Sequence, residues 1–149
     1  MHFQRIPGVV ATCVGYTQGA VERPTYAQVC AGTTGHTEGI QLVYDAQVVE
    51  YEALCDKLLS TVDPTALNRV GNDVGTQYRH GIYFHTAEQA AAAERAIARA
   101  QAGLGGRRVV TELKPAAVFY PAERYHQRYL QKGGQDASKG AVERVRCYG

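Results

Sequence analysis

The chain has 149 residues, of which 45% are hydrophobic and 20% are charged, and its formal net charge is +2. A chain of this length forms one domain and buries roughly two-thirds of the surface that its unfolded form exposes. The small charge and the scattered arginines exclude a nucleic-acid-binding protein. No apolar run approaches the roughly 20 residues of a membrane span, and the first residues have no secretory pattern. We therefore expect neither nucleic acid nor membrane as a partner.

The first half of the chain predicts two strands and a helix. Gly8 to Val14 is apolar and β-branched, and it runs into a turn-rich loop over Gly15 to Gly19. The alternation over Ile40 to Tyr44 predicts a strand that ends at Asp45. Six apolar residues at helical spacing then predict a helix that stops before Pro64. They are Tyr51, Leu54, Cys55, Leu58, Leu59 and Val62.

The second half begins with another strand and another helix. Arg79 to His85 is rich in β-favouring side chains and predicts a strand. The hydroxyl of Thr86 can cap the next helix while Gln89 reaches back, which is a capping box. A short strand is predicted over Val109 to Leu113. The buried stripe of the helix is expected at Ala93, Ile97, Ala100 and Leu104.

The end of the chain predicts a helix followed by a tail. Pro121 to Lys132 has the composition of a helix, and from Gly133 onward the chain becomes rich in Gly, Gln, Ser, Lys and Arg. We therefore predict a domain over residues 1–132 and a mobile tail over residues 133–149. The mixed order of strands and helices predicts a single α+β domain.

Four segments combine glycine with polar and aromatic residues and are the candidates for chemistry. They cover residues 24–26, 34–38, 71–79 and 119–127. A pocket lined by Tyr26, Glu38, Asp73 and Tyr78 would hold a carboxylic acid beside phenolic donors, which suits protonation of a substrate oxygen. The spacing of these residues also fits an alternative, in which Glu38 is a solvated surface residue and the tyrosines only pack in the core.

The remaining polar candidates favour structural roles. His36 and His126 are typical of local hydrogen bonding rather than of bases or ligands. The four cysteines lack both the density of a disulfide scaffold and the Cys-x-x-Cys spacing of a zinc site. We therefore expect free thiols in a reducing compartment and no metal.

Six ordered motifs give the chain its resemblance to a known family, the A-type peptide methionine sulfoxide reductases. They lie at residues 24–26, 29–32, 34–38, 63–65, 71–79 and 119–127. The match runs from about Phe3 to Lys132, and the ending Arg146-Cys147-Tyr148-Gly149 is similar to the plant and algal branch. The resemblance implies a two-layer sandwich with a mixed sheet and flanking helices.

The family's chemistry implies a role for each site residue. A cysteine thiolate attacks the sulfoxide sulfur of oxidised methionine, and the departing oxygen is protonated. The resemblance makes Glu38 the proton donor, Tyr26 and Tyr78 hydrogen-bond donors to the oxygen, and Asp73 a supporting group. Burial would raise the pKa of the donor as this role requires. Cys147 would be the resolving thiol, and thioredoxin would reduce the resulting disulfide.

The family's nucleophile lies in a Gly-Cys-Phe-Trp-Gly motif, which this sequence does not contain. We therefore expect the chain to lack the family's first strand and most of its first helix. If that strand is central in the family's sheet, its loss leaves two unpaired edges and a partly open core. Cys13, Cys30 and Cys55 fit structural positions. Without a nucleophile, the activity of the chain as given is expected to be negligible.

Three interpretations remain open. The first is a reductase whose recorded sequence lacks its N-terminal part. The alternative is a short, non-catalytic form that binds methionine sulfoxide peptides. The third, a hydrolase using Glu38 and His126, has no motif in its favour. The resemblance also implies a monomer without cofactors, in the cytosol or a plastid.

Overall fold

A computed structural model describes residues 1–146. Its elements mix strands and helices, in agreement with the predicted α+β class. In chain order they are β1 (Val9–Thr17), α1 (Tyr26–Cys30), β2 (Thr37–Tyr44), α2 (Tyr51–Thr61), β3 (Arg69–Val70), β4 (Asp73–Val74), a 3-10 turn (Thr76–Tyr78), β5 (Gly81–Phe84), α3 (Ala87–Ala102), β6 (Glu112–Pro115), β7 (Phe119–Pro121) and α4 (Tyr129–Lys132). Within residues 1–146, no helix has the length and apolar character that crossing a membrane demands.

The largest sheet is antiparallel and has the order β2-β1-β7. β1 continues through the predicted loop to Thr17, and β2 begins at Thr37, before its predicted start. Gly15 permits this close sheet, because a Cβ there would lie 2.3 Å from the backbone oxygen of Tyr120 on β7. Glu38 therefore lies on a strand, opposite Tyr16 of β1, rather than on a loop.

Helices α2 and α3 pack together against β5 and β6, which form a parallel pair. α2 ends at Thr61, as the following proline predicts. The hydroxyl of Thr86 caps α3 by accepting from the N–H of Gln89. The Gln89 side chain accepts from the N–H of His85 and not from that of Thr86, so only one of the two bonds of the predicted capping box is present. The strand predicted over Val109 to Leu113 is β6, which lies later in the chain, at Glu112–Pro115. The buried core here is formed by Cys55, Leu59, Ile82, Ala93 and Ala96.

The helix predicted over Pro121 to Lys132 is wrong. Residues 119–121 form a strand, and within the predicted helix only Tyr129–Lys132 is helical. The Gln127 side chain accepts from the backbone N–H of Val14 at 2.9 Å and donates to the backbone oxygen of the same residue at 2.8 Å. Arg128 then has a left-handed φ of 55°. The backbone N–H of Ala122 also donates to the oxygen of Val14 at 2.9 Å, so the start of this segment bonds to β1 instead of forming a helix.

A cavity separates the two main sheets. In the described part of the chain, β2 pairs only with β1 and β5 pairs only with β6. The strands meet at one end, where the Thr37 hydroxyl donates to the backbone oxygen of Arg79 at 2.7 Å. Beyond this point, residues of both strands and of α2 line an open cavity of about 660 Å³. The expected single mixed sheet is therefore divided, and two unpaired edges face the cavity.

The first residues of the chain contact the predicted tail. The Arg5 side chain donates to the backbone oxygens of Asp136 at 2.9 Å and Glu143 at 2.6 Å. The backbone N–H of Gly140 donates to the oxygen of Arg5 at 2.8 Å. Residues beyond the predicted boundary at residue 132 therefore pack against the domain.

Candidate active site

The structure brings the four predicted site residues to one wall of the cavity: Tyr26, Glu38, Asp73 and Tyr78. The Thr37 hydroxyl lies within hydrogen-bonding distance of the backbone oxygens of Gln77 and Arg79, at 3.3 and 2.7 Å. Because these residues flank Tyr78, this contact fixes the 3-10 turn beside the first residues of β2. The neighbouring side chain on β2 is that of Glu38.

The carboxyl group of Glu38 has a raised pKa. The largest cause is desolvation by the surrounding walls, and the second is the negative charge of Asp73. Glu38 is also exposed to solvent, since the cavity that it lines is open. A carboxyl group with a raised pKa holds its proton to higher pH and is a better proton donor near neutrality.

Tyr26 reaches the site from the first turn of α1. The Thr25 hydroxyl accepts from the N–H of Gln28, and the Gln28 side chain accepts from the N–H of Thr25, so a complete capping box starts this short helix. Interaction with the nearby Cys30 thiol is the first cause that raises the pKa of Tyr26 to about 12. The phenol therefore stays protonated at neutral pH and can donate a hydrogen bond.

Asp73 is the first residue of β4, and Tyr78 is the last residue of the 3-10 turn between β4 and β5. Desolvation is the first cause that raises the pKa of Tyr78, and contacts with Cys30 contribute. The Gln77 side chain donates to the backbone oxygen of Cys30 at 3.0 Å, which ties this segment to α1. Gly75 has a φ of 146°, and a Cβ there would lie 2.3 Å from the Gln77 side chain. A glycine is therefore required for this connection.

A second polar cluster adjoins the first and was not predicted. Glu123 accepts hydrogen bonds from the phenols of Tyr16 at 3.3 Å and Tyr125 at 2.9 Å. The ring of His126 lies between those of Tyr125 and Tyr26, with centroid distances of 4.1 and 4.5 Å. Its Nε2 is buried and lacks a hydrogen-bond partner among the described residues. The candidate segment at residues 119–127 was the available signal, because it contains Glu123, Tyr125 and His126. Only the strand pairing adds Tyr16 to the cluster.

Two other histidines have structural contacts. His36 is 1% exposed, accepts at Nδ1 from the N–H of Gly19 at 3.0 Å, and lies 2.7 Å through Nε2 from the oxygen of Val21. His80 contacts Thr111 and the backbone oxygen of Ala66. Both ring nitrogens of each imidazole are occupied, so neither imidazole has a free nitrogen with which to act as a base.

The cysteines differ in their distance from this site. Cys30 contacts the two phenols, a closer relation to the site than its expected packing role. Cys55 lies in the core, where burial raises the pKa of its thiol to about 11. Cys13 donates to the backbone oxygen of Val14. The predicted resolving thiol, Cys147, lies outside the described residues. Within residues 1–146, no group of three His, Cys, Asp or Glu side chains could hold a metal ion.

Comparison with known proteins decides the family. The model of the peptide methionine sulfoxide reductase family matches residues 1–146. The chain belongs to this family. It is 54% identical over 147 residues to peptide methionine sulfoxide reductase A2-1 of Oryza sativa subsp. japonica and covers 78% of that protein. It is 50% identical to the chloroplastic reductase A4 of Arabidopsis thaliana and covers 58% of it. In each match, 99% of this chain is aligned.

Solved structures of the family share the fold. Methionine sulfoxide reductase A of Corynebacterium diphtheriae superimposes with a TM-score of 0.83 at 36% identity, over 97% of this chain and 74% of that one. Mxr1 from Saccharomyces cerevisiae in reduced form gives a TM-score of 0.80 at 32% identity, over 87% and 74% of the two chains. The chain is therefore a member of an oxidoreductase family, with that family's α+β fold.

Proposed function

We propose that the cavity wall of Tyr26, Glu38 and Tyr78 binds the sulfoxide oxygen of oxidised methionine in peptides, for reduction of the S epimer. The supporting observation is a carboxyl group of raised pKa beside two phenols on one cavity wall. The phenols donate hydrogen bonds to the oxygen and polarise the S–O bond. Glu38 donates the proton that this oxygen needs as the bond to the methionine sulfur breaks. The charge of Asp73 helps to keep Glu38 protonated.

The reaction also needs an attacking thiol. The thiol takes the oxygen and becomes a sulfenic acid, and the sulfoxide becomes methionine, so that oxygen and electrons balance. Cys55 is a poor thiolate because its pKa is raised to about 11. Cys30 is the last residue of α1, where the helix dipole disfavours a negative charge. Cys13 lies within β1. These settings support negligible turnover by the chain as given.

The gap between β2 and β5 supports a source for that thiol. One further extended segment would pair with both unpaired edges and cover the apolar cavity wall. We propose that a segment of this kind, bearing the Gly-Cys-Phe-Trp-Gly motif that the resemblance implies, completes the site. The sulfenic acid then condenses with Cys147, and thioredoxin reduces the disulfide. The completed protein is proposed to act as a monomer, in the cytosol or a plastid.

Binding and turnover test these two steps separately. N-acetyl-methionine sulfoxide N-methylamide is titrated into the chain and followed by NMR, with the corresponding sulfide as the control ligand. We expect shifts around Tyr26 and Tyr78 with the sulfoxide, and weaker binding in the Tyr26→Phe/Tyr78→Phe double variant. Tyr129→Phe, at an exposed tyrosine outside the cavity lining, is the matched control. Equal binding of sulfoxide and sulfide would overturn the oxygen-binding role.

Turnover is measured as dithiothreitol-dependent loss of the sulfoxide. We expect none from the chain alone and recovery when a synthetic peptide carrying the Gly-Cys-Phe-Trp-Gly motif is added. Turnover by the chain alone that Cys13→Ser or Cys30→Ser abolishes would contradict the proposed source of the thiol. Sulfoxide binding without recovery by the peptide would favour the non-catalytic binding module instead.

A further inference from the structure

The carboxyl group of Glu112 on β6 accepts hydrogen bonds from three side chains. Its Oε2 accepts from the Tyr83 phenol at 2.8 Å and from Nε of Arg79 at 3.2 Å, and its Oε1 accepts from the Lys114 ammonium group at 3.2 Å. Burial opposes ionisation, but these donors and the charge of Arg79 hold the pKa of Glu112 below its usual value. The group is therefore a carboxylate at neutral pH, although only 23% of its side chain is exposed.

A glycine makes room for the phenol of Tyr83 beside this carboxylate. Gly81 of β5 pairs with Glu112 of β6. A Cβ on Gly81 would lie 2.5 Å from the Tyr83 hydroxyl oxygen and 3.1 Å from Cβ of Glu112. Tyr83 lies two residues further along the same strand, so its side chain runs back past Gly81 to reach Glu112. The parallel pair thus holds the carboxylate in one place, through its backbone register and through this phenol.

Arg79 connects this carboxylate to the candidate site. Its guanidinium group also donates to the backbone oxygens of Thr76 at 2.8 Å and Gly35 at 3.0 Å. Thr76 begins the 3-10 turn that ends at Tyr78. Gly35 lies two residues before β2, whose second residue is Glu38. One guanidinium group therefore binds β6, the turn and the segment that leads into β2.

We infer that Glu112 is a positioning residue for the phenol of Tyr78 and acts through Arg79. A guanidinium group is planar and donates in fixed directions, so its orientation at Glu112 decides whether its bonds to Thr76 and Gly35 can form. Without the carboxylate, the guanidinium group loses its attachment to β6, and the turn that carries Tyr78 can move relative to β2. The consequence for sulfoxide binding rests on the proposed function, whereas the effect on the phenol itself does not.

Nuclear magnetic resonance of the Tyr78 phenol tests this role. Tyrosine labelled with ¹³C at Cζ is incorporated, and the Tyr78 signal is assigned by its loss in Tyr78→Phe. We expect Glu112→Gln to shift and broaden this signal, because the amide keeps the size of the carboxylate but lacks the charge that strengthens its bond to Arg79. An unchanged Tyr78 signal in Glu112→Gln would overturn the inference.

Glu52→Gln is the matched control for the loss of a carboxylate. Glu52 also accepts from two arginines, and 22% of its side chain is exposed, but its partners lie on α3. The Tyr78 signal should keep its parent position in this variant. An equal change in both variants would contradict positioning by Glu112, because general destabilisation would then explain the shift.

A double-mutant cycle tests the route through Arg79. We expect Glu112→Gln to shift the Tyr78 signal less in the Arg79→Ala background than in the parent, because the connection to the turn is already broken. Should Arg79→Ala unfold the domain, Arg79→Lys serves in its place, since a compact ammonium group does not reproduce the guanidinium fork. A shift as large as that in the parent would refute the route through Arg79.

Ligand binding tests the consequence for the proposed function. N-acetyl-methionine sulfoxide N-methylamide and the corresponding sulfide are titrated into the parent and into Glu112→Gln. We expect the sulfoxide to bind about fivefold more weakly to the variant, which is the effect of one lost hydrogen bond, and the sulfide to bind equally to both. Equal weakening of both ligands would overturn the positioning of an oxygen-binding phenol. If the parent itself does not distinguish the two ligands, the proposed function fails, and the Tyr78 signal alone decides the role of Glu112.

Discussion

The two sides of β5 differ in how completely they are packed. On the side of the helices, Leu59 and Ala93 are 7% and 0% exposed, and α2 and α3 leave little space between them. On the side of β2, half-buried apolar residues such as Leu42 and Phe119 line an open cavity. The domain therefore holds its site residues in place although only the helical side is closely packed and a cavity remains between β2 and β5. The stability should therefore reside mainly on the helical side.

The largest expected effect is a matched pair of leucine truncations. Leu59→Ala should lower the free energy of unfolding by about 2–4 kcal/mol, because it leaves a void in a packed core. Leu42→Ala, on the cavity wall, should lower it by less than about 1 kcal/mol, since part of that surface already faces open space. Urea denaturation of the two variants measures the difference. Equal losses would contradict an open seam.

A smaller effect is expected at the ion pair that ties the site to the closed side. Arg79 lies 3.2 Å from Glu112 and also donates to the backbone oxygens of Thr76 and Gly35. Arg79→Ala should cost about 2 kcal/mol of unfolding free energy, because it removes a charged hydrogen bond to the partly buried Glu112 together with two bonds to the backbone. Arg99→Ala removes a solvent-exposed arginine from its carboxylate partners and should change stability little. The same denaturation assay compares the two. A loss at Arg99 as large as that at Arg79 would show that burial does not decide the effect.

The smallest expected effect is the pH dependence introduced by Glu38. Its pKa is raised in the folded state, so the folded form binds more protons than the unfolded form above the usual glutamate value of about 4.3. Stability should therefore fall as the pH rises from that value through the raised pKa. Glu38→Gln should remove this fall, whereas Glu94→Gln at an exposed helical position should keep it. Urea midpoints at several pH values measure the slope. A parent slope of the opposite sign would refute the desolvated carboxyl group.

The sequence predicted the two longest helices, because their apolar periodicity and end signals lie within their own residues. The apolar stripe and the following proline predicted α2, and the capping residue Thr86 predicted the start of α3. The helix predicted from residue 121 failed because Gln127 bonds to the backbone of β1, a contact between residues 113 positions apart. No local pattern reports such a partner. The position of β6 was missed for a similar reason, since pairing with β5 selects the residues that become a strand.

The candidate site was predicted in part. The motifs named Tyr26, Glu38, Asp73 and Tyr78, and the structure brings all four to one cavity wall. Their proposed roles in proton transfer stay predictions. The nearness of Cys30 to Tyr78 could not be read from the sequence, because it depends on the packing of α1 against the 3-10 turn.

The sequence by itself determined the family, the α+β class and the set of side chains that can act on a sulfoxide oxygen. Periodicity, caps and motifs depend on residues that are close in the sequence, so they can be recognised without the fold. Only the tertiary structure decided that the sheet is divided by a cavity, that Glu38 lies on a strand opposite Tyr16, and that the Arg5 side chain bonds to the backbone of Asp136 and Glu143. These features depend on contacts between residues far apart in the chain, which form only when the strands and helices pack.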